Sequence, residues 1–197
     1  MNINQDAKNL QADWDGPFSW PNFESENGLP TIPLHSTGVY LQTFEYQNGY
    51  LIYAAGITRR SVPVRFKEHT RHYMNGDYTV LDPLAAERGI RKEIWHGWGY
   101  AKVHRDQFEE NKVEIQEAVK KQLAKFRVFY ANFRNEQRLL ERVEAAIMNF
   151  LYEQKSPYKD LPDKGMMLAP RWNSEEPQTL NNRSKVTIHG LPEALKI

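Results

Sequence analysis

The sequence predicts an α/β fold in which a small central sheet is flanked by helices. The first observation is a β-hairpin signal over residues 38–58, where two segments rich in β-branched and aromatic residues surround Gln47-Asn48-Gly49. An Asn-Gly pair suits the positive φ angles of a tight hairpin turn. The second observation is an apolar spacing of three and four residues over 61–73 and 106–154, which is typical of amphipathic helices.

The chain begins with a segment, residues 1–35, that we predict to be an irregular extension. Proline breaks long helices and central strands, and the segment contains Pro17, Pro21, Pro30 and Pro33. Aromatic residues lie between these prolines. We therefore expect the segment to wrap around the domain rather than to be disordered.

The hairpin is followed by a predicted helix over 61–73. Ser61 is a suitable N-cap, and Pro63 is tolerated in a first helical turn. Arg65 and His69 are four residues apart on this helix, so their side chains share one face.

The rest of the chain is predicted to be mainly helix and loop. Residues 78–81 form a short strand, and 82–105 a loop with a short helix. A long helical segment follows over 106–154, with a break near 132–135, because its apolar residues recur at three and four.

Residues 155–182 are loop-like, and 186–188 are a candidate strand. The predicted organisation is the extension over 1–35, one domain over 36–175 that includes the helical segment, and a C-terminal tail over 176–197.

Composition excludes several classes of site. The 197-residue chain has no cysteine, which rules out disulfide frameworks, cysteine zinc sites and thiolate nucleophiles. Its apolar runs are too short for a membrane span, and no signal peptide is visible at its start, so a cytoplasmic protein is expected. The net charge is only +1, so a nucleic-acid footprint must be local.

Three sequence features stand in the order hairpin, basic helix, long helix. Gly38-Val39-Tyr40 begins the first strand of the hairpin. Tyr53-Ala54-Ala55-Gly56-Ile57-Thr58 ends the second strand, and Arg65 and His69 follow. Glu144-Ala145-Ala146-Ile147-Met148 places an acid on the long helix, and Pro170-Arg171-Trp172-Asn173 comes later.

This ordered set resembles the GIY-YIG endonuclease superfamily over roughly residues 30–175. Gly38-Val39-Tyr40 is similar to the first signature of the family, and Gly56 is similar to the glycine of the second. The family arginine corresponds to Arg65, which lies nine residues after that glycine. His69 resembles a histidine of restriction-type members.

The resemblance extends to two further residues and to the fold. Glu144 resembles the metal-binding glutamate of the family, and Asn173 resembles the asparagine that closes the module. The implied fold is a mixed three-stranded sheet flanked by helices, with a long helical insertion in this chain.

The resemblance implies a nuclease that hydrolyses DNA phosphodiester bonds with one divalent ion, Mg²⁺ or Mn²⁺, on Glu144. Carboxylate oxygen suits such hard cations. Arg65 would hold a phosphate bidentately, since a guanidinium keeps its charge. Gly38, Gly56 and Asn173 would have structural roles at the site.

Tyr40 would position or deprotonate the attacking water. A tyrosine with its ordinary pKa of about 10 is a poor base unless nearby cations lower that value. Arg65 and His69 are the candidates for this effect, and His69 can instead relay the proton.

One position departs from the family pattern. The tyrosine of the second signature is expected two residues before Gly56, where this chain has Ala54. Tyr53 is adjacent, but successive side chains of a strand point to opposite faces. Tyr53 can therefore take that place only if the strand contains a bulge. The long gap from Glu144 to Asn173 also implies an insertion, around residues 152–169.

The segment from Arg59 to His72 is locally basic. It contains five Lys or Arg and two His against one acid, Glu68. Such a patch suits a nucleic-acid backbone. We predict that it binds DNA beside the site through Arg59, Arg60, Lys67 and Arg71.

Each of these residues also has an ordinary structural explanation. Tyr40 can be a packing aromatic, and Arg65 with His69 a solvated helix face. Glu141 competes with Glu144 as the acid of the long helix. The cluster Trp95-His96-Gly97-Trp98 is expected to pack under a loop, with base stacking as its alternative.

Two other functions stay open at this point. One is a catalytically inactive nucleic-acid-binding protein that lost turnover at Ala54. The other is a structural or assembly protein that uses the helix over 106–134 as its interface. Cutting both DNA strands needs a second site or a second encounter, so a homodimer is also open.

Overall fold

The computed structural model describes residues 9–133 and 136–197. Its strands are β1 (Asn9–Ser19), β2 (Gly38–Tyr46), β3 (Gly49–Thr58), β4 (Val80–Leu81), β5 (Glu93–Trp95), β6 (Phe126–Ala131), β7 (Thr179–Ser184), β8 (Ile188–His189) and β9 (Ala194–Lys196). Its helices are α1 (Glu24–Asn27), α2 (Val62–Met74), α3 (Pro83–Ala86), α4 (Trp98–Val103), α5 (Arg105–Glu110), α6 (Lys112–Lys125) and α7 (Gln137–Glu153).

The described residues form a seven-stranded mixed sheet in the order β8-β3-β2-β6-β1-β7-β9, and β4 with β5 forms a separate ribbon. In the large sheet β2 is antiparallel to β3 and β6, and β6 is antiparallel to β1. Two pairs are parallel, β1 with β7 and β3 with β8. The prediction of a small three-stranded sheet is therefore wrong.

The largest difference between prediction and structure is β6, which lies inside the segment 106–154 that the apolar spacing predicts to be helical. All six residues of β6 are buried between β2 and β1. A strand that is buried on both faces lacks the alternation of polar and apolar residues, so its run of apolar residues reads as a continuation of the preceding helix. The helical segment is instead α5, α6, the strand β6 and then α7.

The second error concerns β1, which lies where irregular structure was predicted. Pro17 is accommodated because the pairing of β1 with β6 shifts register between Asp15 and Phe18. Proline lacks a backbone N–H and is tolerated at such an irregularity. Near the end of the sequence, β7 and β9 were not predicted, and the strand predicted over 186–188 shares only Ile188 with β8.

The hairpin prediction is confirmed by β2 and β3, and the helix prediction over 61–73 is confirmed by α2. The sheet separates two buried clusters. One face packs against α2 and α6, and the other packs against α7. In the part of the chain that is described, no helix has the length and apolar character required to cross a bilayer.

The short pairing of β3 with β8 determines where the candidate site lies. β3 pairs with β8 only at Tyr50 and Leu51, so the later part of β3 has no strand on that side within the described residues. Other groups cover this edge: the Ala55 N–H donates to Met148 Sδ at 3.1 Å, and the Asp163 N–H donates to the Tyr53 carbonyl at 2.9 Å. α7 can therefore contribute side chains around this edge to the opposite face.

Candidate active site

A cleft of about 160 Å³ lies at the open edge of β3. It is lined by Tyr40 of β2, Arg65 and His69 of α2, and Glu144 of α7. These residues are up to 104 positions apart in the chain, and the structure brings them to one place. Gly56 of β3 also lines the cleft.

Gly56 provides the space that the Tyr40 side chain occupies. The two residues are direct partners across β2 and β3. A Cβ atom at position 56 would overlap the ring and hydroxyl of Tyr40. Gly38 has a related role at the start of β2, where its φ of 106° and its close approach to the Ala131 carbonyl both favour glycine.

Tyr40 and His69 form a buried hydrogen-bonded pair, with 2.6 Å between Tyr40 Oη and His69 Nε2. Burial, reinforced by the nearby Arg65 charge, lowers the pKa of His69 to about 3, so the imidazole is neutral at pH 7. Burial raises the pKa of Tyr40, and the opposing effect of Arg65 is smaller. The expectation that Arg65 and His69 together lower the tyrosine pKa is therefore wrong, because burial outweighs the Arg65 charge and the neutral His69 contributes no charge.

Arg65 is half-buried at the mouth of the cleft. Its Nη1 donates to Glu68 Oε2 at 3.1 Å, and Glu68 also pairs with Arg60 at 2.8 Å. The Arg65 Nε is buried and has no hydrogen-bond partner among the described residues. The guanidinium therefore retains donor capacity for an anion in the cleft.

Glu144 is a half-buried acid with no hydrogen bond or ion pair to any residue described by the structure. Burial raises the pKa of its carboxyl to about 7, against the opposing charge of Arg65. Glu141, the competing acid on α7, accepts a hydrogen bond from Gln137 and pairs with Arg138 instead. The geometry thus favours Glu144 as the acid of the site.

The bulge that sequence analysis required for Tyr53 is present. Gln42 is opposite Ala54 while Thr43 is opposite Ile52, so Tyr53 is an extra residue of β3. Tyr53 and Ala54 consequently both line the cleft, on the face that carries Tyr40.

Tyr53 lies toward a different end of the cleft from Arg65. It stands three residues before Gly56, roughly 10 Å along an extended strand. Burial and then the nearby Asp163 carboxylate raise the pKa of the Tyr53 hydroxyl. The side chain is thus on the correct face, but its hydroxyl is close to Asp163 rather than to Arg65.

Several residues of the cleft were missed by sequence analysis. They are Gln42, Tyr73, Tyr78, Asp163 and Met166, together with Trp98, which was expected to pack under a loop. Gln42 stands two residues after Tyr40 and was accessible from strand periodicity. Asp163 lies in a long loop, and no local pattern marks it.

Other predicted residues lie outside the cleft. Asn173 is exposed in a turn. Lys67 and Arg71 are exposed on α2, where Lys67 is about 200° around the helix axis from Arg65. These two basic residues therefore face away from the cleft, and the predicted basic patch is divided.

Arg59 and Arg60 do lie beside the site. They line an open depression of about 430 Å³ together with Thr58 and Gln137. Arg65 lines both this depression and the cleft, so the two are adjacent. The arrangement can bind successive phosphate groups of one nucleic-acid backbone.

In residues 9–133 and 136–197, no group of three or more His, Asp or Glu side chains is arranged to hold a metal. Glu144 is the carboxyl beside Arg65 that has no partner among the described residues, and Mg²⁺ is commonly bound by one or two carboxylates, with waters and substrate phosphates completing its shell. Burial makes the unpaired Glu144 carboxyl costly to ionise, and a bound cation would stabilise its ionised form.

No protein-family model, curated protein or solved structure matches this chain. The resemblance to the GIY-YIG superfamily therefore rests on the signature residues themselves.

Proposed function

We propose that the chain is a metal-dependent endonuclease that hydrolyses DNA phosphodiester bonds in this cleft. The convergence of Tyr40, Arg65, His69 and Glu144 from β2, α2 and α7 carries the proposal. Phosphodiester hydrolysis requires a group that holds phosphate, groups that orient water and move its proton, and an anionic ligand for a metal. The cleft offers each of them, and the family resemblance supports the same reaction.

The divalent ion, Mg²⁺ or Mn²⁺, belongs to the proposal, with Glu144 as its protein ligand. When bound, the ion supplies charge stabilisation at the phosphate and the leaving oxygen. A cytoplasmic location is part of the same proposal.

Arg65 binds the non-bridging oxygens of the phosphate, using donors that include its unpartnered Nε. In the His69 tautomer that carries its proton on Nδ1, the Tyr40 hydroxyl donates to Nε2, and its oxygen orients the attacking water. Burial is the main cause of the low pKa of His69, and the Arg65 charge adds to it. An incoming phosphate offsets only the effect of Arg65, which makes His69 a moderately better acceptor for a proton relayed through Tyr40.

One observation favours a second candidate, a DNA-binding protein without turnover. Burial raises the pKa of Tyr40 and lowers that of His69, so neither is a strong base at pH 7 in the free protein. The assembly alternative is weakened, because the strand β6 interrupts the helix that was expected to form its interface.

Cleavage of supercoiled plasmid and short duplexes with Mg²⁺ or Mn²⁺ tests the proposal. We expect nicking by the wild type and by Glu141→Ala, but not by Glu144→Ala or in EDTA. Glu141 is the matched control because it lies one turn away on α7, outside the cleft. Salt-sensitive DNA binding without cleavage in any variant would favour the second candidate, and equal nicking by both alanine variants would exclude Glu144 from the site.

A further inference from the structure

The end of the cleft away from Arg65 contains polar groups that the proposed reaction does not use. Tyr53 is 1% exposed, and its hydroxyl has no hydrogen-bond partner among the described residues. Gln42 accepts a hydrogen bond from Tyr73 Oη at 3.4 Å through its Oε1. Its Nε2 donates to none of the residues described. The Tyr53 hydroxyl, which is buried and has no partner, is costly unless something binds to it.

Asp163 adds an acceptor at the same end. It is 5% exposed, and Trp98 Nε1 donates to both of its carboxylate oxygens at 3.0 Å. The Gly165 N–H donates to one of them at 3.3 Å. A carboxylate has about four acceptor positions, so capacity remains for a ligand.

The loop that carries Asp163 is held firmly in place. Arg91 Nη1 donates to the carbonyls of Leu161 at 2.8 Å and Pro162 at 3.0 Å. The Asp163 N–H is bonded to the Tyr53 carbonyl, and the Tyr152 hydroxyl donates to the Asp163 carbonyl. The acceptor is therefore pre-organised against β3, as in a binding site.

The walls and the size of this end restrict what it accepts. Tyr78 and Trp98 line it, and aromatic side chains are suitable neighbours for a flat ring. The whole cleft, which this end shares with Arg65 and Glu144, measures about 160 Å³, so it is far too small for a duplex segment and has room here for one ring system at most.

We infer that Gln42, Tyr53 and Asp163 form a subsite for one unpaired nucleobase of the DNA substrate. This inference rests on the proposed function, because the base must belong to a strand whose phosphate is held by Arg65. Asp163 accepts from an N–H of the base edge, while Gln42 Nε2 and Tyr53 Oη donate to its acceptor atoms.

The base subsite predicts a substrate preference. A base in continuous duplex must leave its stack to enter, whereas an unpaired base enters at lower cost. The protein should therefore prefer DNA that carries an unpaired nucleotide over fully paired DNA of the same sequence.

Fluorescence anisotropy in EDTA, where no cleavage occurs, tests this preference. The probes are a labelled 20-base-pair duplex and the same duplex with one additional unpaired nucleotide. We expect the wild type to bind the second probe about tenfold more tightly. Tyr53→Phe removes one hydrogen bond and should reduce this ratio about three- to tenfold. Its melting temperature should equal or exceed that of the wild type, since removing a buried hydroxyl that has no partner does not destabilise the free protein.

Tyr50→Phe is the matched control, because Tyr50 lies on the same strand outside the cleft. Equal affinity of the wild type for both probes, or an unchanged ratio in Tyr53→Phe, would overturn the base subsite. If paired duplex is still bound, and is cut once Mg²⁺ is supplied, the proposed nuclease function stands and only the subsite is wrong. If neither probe is bound in EDTA and neither is bound or cut with Mg²⁺, both proposals fail.

Discussion

At the scale of single residues, Tyr40 and Gly56 depend on each other, because the buried tyrosine ring occupies the space that a side chain at position 56 would need. We predict that Gly56→Ala destabilises the protein by about 1–3 kcal/mol, the usual cost of overpacking, and separates Tyr40 from His69. Denaturant unfolding measures the change. Gly99→Ala is the control, because an added Cβ there meets no atom within 4 Å and alanine favours the helix α4. A Gly56→Ala protein as stable as the wild type would contradict this packing.

Glu144 gives a residue-scale prediction about pH. Its folded-state pKa is about 7 against an ordinary value of 4.5, so the ionised form is less favourable in the folded state. The resulting penalty is absent below about pH 4.5, develops as pH rises toward about 7 and is complete above that. It is on the order of 3 kcal/mol at most.

Glu144→Gln should therefore raise the melting temperature relative to the wild type, and the gain should increase from pH 5 to pH 8. Glu141→Gln loses a carboxylate paired with Arg138 and should show no such gain. A difference between Glu144→Gln and wild type that does not vary with pH would show that Glu144 is not destabilised by burial.

The four charged or polar residues of the proposed site were predictable, because their types and order match a signature. The far end of the cleft was not. Tyr53 reaches that end through a bulge that no residue type indicates, and Asp163 is positioned by contacts from Arg91 and Tyr152. Asn173 matched the signature but lies in an exposed turn.

At the scale of elements, the hairpin and α2 were predictable because their signals are local. β6 was not, because Phe126 continues the apolar spacing of α6 even though the chain becomes extended there. β1 was hidden by Pro17, whose tolerance depends on an irregularity in the pairing with β6. In both cases, tertiary pairing decided the structure against the local pattern.

The divided basic segment gives a prediction about DNA binding. Arg59 and Arg60 precede α2 and lie beside the cleft, whereas Lys67 and Arg71 on α2 face away from it. We expect the double variant Arg59→Ala/Arg60→Ala to lower the slope of log affinity against log salt by about two, since each lost phosphate contact contributes about 0.9. Lys67→Ala/Arg71→Ala removes the same charge and should leave the slope nearly unchanged. Equal effects of the two doubles would mean that the whole basic segment contacts DNA.

At the scale of the whole molecule, the site depends on where the sheet ends. β3 pairs with β8 over only two residues, so α7 can place Glu144 on the same side as α2. The chain is α/β, but its sheet is larger than the resemblance implied, with strands from both ends of the chain packed beyond β6. Such additions leave no trace in a signature, because they lie far from the residues that carry it.

The most direct test of the central claim is a double-variant comparison of single-turnover DNA cleavage at saturating Mg²⁺. If Arg65 and Glu144 act as one site, each alanine substitution alone should lower the rate about a hundredfold or more. The double variant should then cleave little more slowly than the less active of the two single variants, because the effects of residues that act as a unit are strongly non-additive. Rates that multiply across the two substitutions, or a wild-type rate in either single variant, would contradict a shared catalytic site.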